Sequence, residues 1–216
     1  MAAAQEASPQ QVTAFLSLSP KRAPENTPEV FLVFCGVLAL GRYVAAGNRA
    51  SLATLRHYAS DPRWRIREAV AMALQSVGDA NMKLLIREMR LWAGGNWLEK
   101  RAAAAALAEP RLLRASASVS SALHILDLIT QSIISRPDKN TEDFRVLRQA
   151  LGYCWSVVVA SNPGLGMPAF EKWLKTDDPD VRHLLRENLR KNRLLRMDAK
   201  WVQSCLAKLG FRNTSK

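Results

Sequence analysis

Residues 61–74 read DPRWRIREAVAMAL. Asp61-Pro62 supplies a helix start, because an aspartate can cap free N–H groups and proline suits the first helical turn. Ile66, Ala69, Val70, Ala73 and Leu74 then recur at helical spacing and form one apolar stripe. Arg63 and Arg67 lie one turn apart on another face. A single amphipathic helix cannot bury such a stripe alone, so the chain must supply neighbours of the same kind.

Those neighbours lie on both sides. Thr27-Pro28-Glu29 opens a nearly all-apolar helix ending near Gly47-Asn48, and residues 51–59 form a second one. After the residue-61 helix, which should end near Gly78, residues 81–92 give another, with Met82, Leu85, Ile86 and Met89 buried. Gly94-Gly95 breaks the pattern, and Asn96 caps an alanine-rich helix over 97–108. The spacing predicts helices over 112–134, broken near Ser116–Ser121, and over 141–159. Ser161-Asn162-Pro163-Gly164 reads as a terminator, followed by a short helix over 168–175. Helices over 180–191 and 198–209 close the series, and no strand candidate stands out. Residues 1–26, rich in Ala, Gln, Ser and Pro, read as a loosely held N-terminal arm, with a short helix around Gln10–Leu18 that Pro20 and Pro24 break off. Residues 27–210 read as one repeat domain and 211–216 as a tail.

The 216 residues are 48% hydrophobic, enough for a sizeable core. Thirty-one Lys and Arg against 19 acids give +12, which suits an acidic partner or simple solubility. Cys35, Cys154 and Cys205 are scattered and fall on apolar-periodic segments, as reduced core thiols of a cytoplasmic protein would. The most apolar run, Val30–Leu40, is too short for a bilayer span of roughly 20 residues, so no membrane partner is expected.

Trp64 and Trp97 lie 33 residues apart, each ten residues before a leucine, Leu74 and Leu107. DPRWRIREAVAMAL is also similar to DPDVRHLLRENL at 178–189, with Ile66-Arg67 matching Val181-Arg182. An Asp-Pro turn, then aliphatic-Arg, then a helix resembles the second helix of a HEAT repeat. The resemblance covers most of 28–209 and implies an all-α fold, a curved α-solenoid of about five HEAT-like antiparallel helix pairs. A narrower resemblance rests on Trp97-Leu98-Glu99-Lys100-Arg101, which looks like a helix start in the HEAT-like DNA glycosylases that excise alkylated purines. It implies DNA contacts at Trp97, Lys100 and Arg101. The Trp-Asp motif of that family has no counterpart, since no tryptophan here precedes an aspartate.

Catalytic chemistry is sparse. His57, His124 and His183 lack metal-ligand spacing and read as surface or packed imidazoles, so no metal and no cofactor is expected. Gly164-Leu165-Gly166 is a connector rather than a phosphate loop. Asp177, Asp178 and Asp180 read as a turn and helix cap. Arg182, Arg186 and Arg190, spaced by four, form a ladder that Lys191, Arg193 and Arg196 extend. Phosphates could neutralise that ladder, or the face could be solvated, with repeat arginines bonding acids of the adjoining pair. The leading expectation is a non-catalytic module gripping nucleic acid, duplex DNA first, along a basic concave face. Its contacts would be Arg63, Arg67, Trp97, Lys100, Arg101, Arg145, Arg148, Arg182, Arg186 and Arg190. A protein–protein scaffold and an alkylpurine glycosylase-like DNA repair enzyme are the alternatives.

Overall fold

The computed structural model describes residues 6–210, and every regular element among them is helical. Residues 1–5 of the expected arm and the 211–216 tail lie outside the described residues. The chain divides into two compact units, Met1–Glu88 and Met89–Lys216.

Unit 1 holds α1 (Pro9–Leu16), α2 (Glu29–Ala45), α3 (Arg49–Tyr58) and α4 (Trp64–Ala80), and the division falls within α5 (Met82–Trp92). Its centre is the pairing of α2 with α4. Gly41 makes that pairing close: a Cβ there would sit 2.7 Å from the Ala73 carbonyl oxygen. Residues 9–26 are not a loose arm. Ser8 and Gln11 form a reciprocal capping box that starts α1, and α1 packs on α2. Tyr58 donates its hydroxyl proton to the Leu16 carbonyl at 3.0 Å, and Arg65 pairs with Glu25 at 2.8 Å. Tertiary partners far along the chain hold a segment whose composition alone suggests freedom.

Unit 2 contains α6 (Trp97–Leu107), α7 (Ser116–Ser135), α8 (Glu142–Ser161), α9 (Pro163–Glu171), α10 (Pro179–Leu189), α11 (Asn192–Met197) and α12 (Ala199–Lys208). Short 3-10 turns cover Pro110–Leu112 and Lys172–Lys175. Helix α8 is its axis, flanked by α6 on one side and α10 on the other. Asn96 and Glu99 cap α6 reciprocally, Thr141 caps α8, Asp178 caps α10 and Asp198 caps α12. Trp155 and Phe170 are fully buried and meet edge to face at 6.0 Å.

The element boundaries in unit 2 differ from the expected ones at three places. Asn162 ends α8 but also caps α9, whose first residue is Pro163, so the terminator is equally a helix start. The break in the serine-rich stretch precedes Ser116, leaving α7 continuous. By length and composition α7 could cross a membrane, although half of its most apolar window is buried inside the fold. The short helix α11 has no counterpart in the expected series.

Candidate functional site

Helix starts place the basic side chains, and buried acceptors then decide which remain available. Arg63, 4% exposed, forms a fork on Asp61, with Nε to Oδ1 at 2.8 Å and Nη2 to Oδ2 at 2.7 Å. Its remaining nitrogen donates to the carbonyls of Ala23 at 3.1 Å and Leu18 at 3.3 Å. The Asp61 hydrogen bond and charge push the guanidinium pKa up. Asp61 is therefore not the expected helix cap: α4 begins at Trp64, and Arg63 occupies the cap position without capping it. Arg67 donates to the carbonyls of Asp61 at 2.8 Å and Pro62 at 2.9 Å. In unit 1, then, the three arginines of the 61–74 stretch are engaged within the fold: Arg67 binds its own turn, while Arg63 and Arg65 also reach back to residues 18–25.

The Trp97 cluster is likewise interior. Trp97 is 4% exposed, and its ring packs against Phe144 at 5.2 Å and under the Arg136 guanidinium at 4.5 Å. Its Nε1 donates to the Asp138 carbonyl at 3.0 Å. Lys100, 2% exposed, donates from Nζ to the Gly95 carbonyl at 2.7 Å. Burial, and then Arg136, push the Lys100 pKa down. Arg101 is buried as well. A base could not stack on Trp97 without unpacking this corner.

On α10, Arg182 reaches the Leu209 carbonyl at 2.7 Å and the Thr176 carbonyl at 3.3 Å, fastening α10 to the end of α12. Arg186 donates to the Arg182 carbonyl at 3.3 Å, and Arg190 pairs with Glu187 at 2.8 Å. Each member of the ladder thus has a partner: Arg182 at the end of α12, Arg186 and Arg190 on α10 itself. Lys139 and Arg148 carry a second system: Lys139 meets Asp178 at 2.7 Å, and Arg148 meets Asp180 at 2.6 Å. Burial alone would raise the Asp178 pKa, but Lys139 and the Val181 and Asp180 N–H groups together hold it below the usual carboxylate range.

What α8 and α10 bring together is a groove of about 550 Å³ lined by Arg145, Arg148, Gln149, Gly152, His183, Glu187 and Lys191. Gly152 lets the two helices close up, since a Cβ there would lie 3.1 Å from the Glu187 Cβ. Arg145 is exposed and, among the described residues, bound only to Glu142, a surface pair at 3.0 Å that an incoming anion can break at little cost. Glu187, the acid in the lining, is engaged by Arg190. Burial, and then Arg148, hold the His183 imidazole below its ordinary pKa.

Along the same helix lies a second hollow of about 640 Å³, lined by Pro110, Leu113, Arg114, Tyr153, Val157, Ala160, Ser161 and Arg193. Tyr153 is 45% exposed, its hydroxyl accepts a hydrogen bond from Arg193 at 2.7 Å, and the guanidinium lies 4.3 Å from the ring centre.

The chain matches no family model, no curated protein and no solved structure. Its reading therefore rests on its own geometry. Of the ten expected contacts, Arg145 and Arg148 line the groove. Residues outside that set, Gln149, His183, Lys191, Arg114, Tyr153 and Arg193, complete the two hollows. A signal existed for part of this: Arg145, Gln149 and Tyr153 recur every fourth residue on a helix whose buried face is largely apolar, and all three are exposed.

Proposed function

We propose that the protein is a non-catalytic HEAT-like module that binds a nucleic-acid backbone along the α8–α10 groove. The observation that carries this reading is the convergence of Arg145, Arg148 and Lys191 on one groove whose lining acid is already paired. Phosphates spaced along a strand suit cations held at fixed intervals on adjacent helices. The repeat architecture finds support in unit 2, where α6, α8 and α10 pack in sequence. Lys139 and Arg148 there reach the aspartates that open α10, joining one helix pair to the next as repeat arginines do.

The test is a binding titration of the full chain with labelled DNA across a salt series. Affinity should fall steeply with salt, and Arg145→Glu with Lys191→Glu should weaken binding by at least tenfold, about 1.4 kcal/mol, while the melting temperature stays unchanged. Equal affinity of the double variant and the wild type would sink the proposal.

A further inference from the structure

The hollow at the C-terminal half of α8 differs chemically from the groove beside it. Its apolar lining is Pro110, Leu113, Val157 and Ala160, with Leu113 and Val157 buried to make the floor. Its rim carries two guanidinium groups and no carboxylate. Arg193 is committed only to Tyr153, and Arg114 has no hydrogen-bond or ion-pair partner among the described residues. Uncompensated cations around an apolar floor with an exposed aromatic ring call for a ligand that is flat, apolar on its faces and anionic at one end. Phosphates on the outside of a duplex would leave the floor empty, and a paired base is already stacked within its helix. An unpaired nucleotide satisfies all three features: the base lies against Tyr153 and Arg193 over Leu113 and Val157, and the phosphate meets Arg114.

The hollow also continues the groove. Arg145, Gln149 and Tyr153 form one exposed row on α8, so a strand whose phosphates lie on Arg145 and Lys191 is led to Tyr153 over ~12 Å. We infer that the Tyr153–Arg193–Arg114 hollow seats a base of a single strand, which makes single-stranded nucleic acid the preferred ligand. This inference rests on the backbone-binding reading above and narrows it.

Fluorescence anisotropy with a short labelled single strand, and with the same strand annealed into a duplex, tests it on the full chain. The wild type should bind the single strand more tightly. Tyr153→Ala should lose about tenfold in single-strand affinity with duplex affinity unchanged, and Tyr153→Phe should stay close to wild type. Arg114→Gln, a change at an exposed side chain, should weaken single-strand binding several-fold and answers the question even if Tyr153→Ala fails to fold. A wild type that prefers duplex overturns the inference. So does undiminished single-strand binding by Arg114→Gln, or by a folded Tyr153→Ala. If the Arg145/Lys191 double variant still weakens both ligands in those cases, the backbone reading survives the loss of the base site. If that variant weakens neither, both fall.

Discussion

Two aspartate-proline turns with nearly the same sequence do different work, and the difference lies in single residues. In the Asp178-Pro179 turn, Asp178 Oδ1 accepts the N–H groups of Asp180 and Val181 at 3.0 and 3.1 Å, and its other oxygen takes Lys139. In the Asp61-Pro62 turn, the residue after proline is arginine rather than aspartate, and its planar fork claims both carboxylate oxygens. The pair is buried, so its value lies in being unbroken. Arg63→Ala should cost about 3–5 kcal/mol in urea unfolding, because Asp61 and two carbonyls would lose a donor inside the core. A loss under about 1 kcal/mol would mean that water reaches the site. Asp178 provides a pH test. Its folded pKa is depressed, so its contribution is complete above the unfolded value of about 3.9 and vanishes as pH falls through the lower folded value. The stability gap between wild type and Asp178→Asn should accordingly be constant near neutrality and shrink below about pH 4.

Among the helices, α8 and α10 show most clearly how polar groups specify packing. Asn188 is fully buried at their crossing: its Oδ1 accepts the Ser156 N–H at 2.8 Å, and its Nδ2 donates to the carbonyls of Leu151 and Leu184 at 2.8 and 2.7 Å. An asparagine in a stripe with Val181, Leu184 and Leu185 reads from sequence as a break in the apolar face; in the fold it is the bolt between two helices. Asn188→Leu should cost about 1–3 kcal/mol, since the groups it satisfied stay buried without it, and should also disturb the groove formed by the same two helices. A melting curve coupled with the DNA titration would show both effects; normal stability and normal binding would remove Asn188 from this role. His183 sits on the groove side of α10. With its pKa held below the ordinary 6.5 it is largely neutral at pH 7, and protonation at lower pH adds a positive charge beside Arg145 and Arg148. Nucleic-acid affinity should therefore rise as pH falls through that pKa, and His183→Gln should flatten the rise.

At the scale of the whole molecule, the formal charge of +12 overstates what is available to a ligand. Arg63, Lys100 and Arg101 are buried, and Arg182 holds the end of α12. The working cations are few, so the slope of log affinity against log salt should correspond to roughly two to four phosphates, about −1.4 to −2.8 for a single strand. A slope near zero would refute phosphate binding. A much steeper one would place ligand contacts beyond the groove.

Helix type and most helix starts were legible in the chain because they are local properties. An apolar stripe at 3.6-residue spacing and a cap of Asn, Thr or Asp one residue before it are complete within a single turn, as at Asn96, Thr141, Asp178 and Asp198. The sequence by itself therefore determined an all-helical protein of alternating caps and stripes, and it marked Arg145 and Arg148 as candidate contacts. It could not determine which cations stay free, because a guanidinium is claimed by whatever acceptor folding brings within about 3 Å. Arg63 finds Ala23 forty residues back, Arg182 finds Leu209 twenty-seven residues on, and Trp97 disappears beneath Arg136. Only the tertiary structure set α8 against α10 and left Arg145, Lys191 and Tyr153 facing outward.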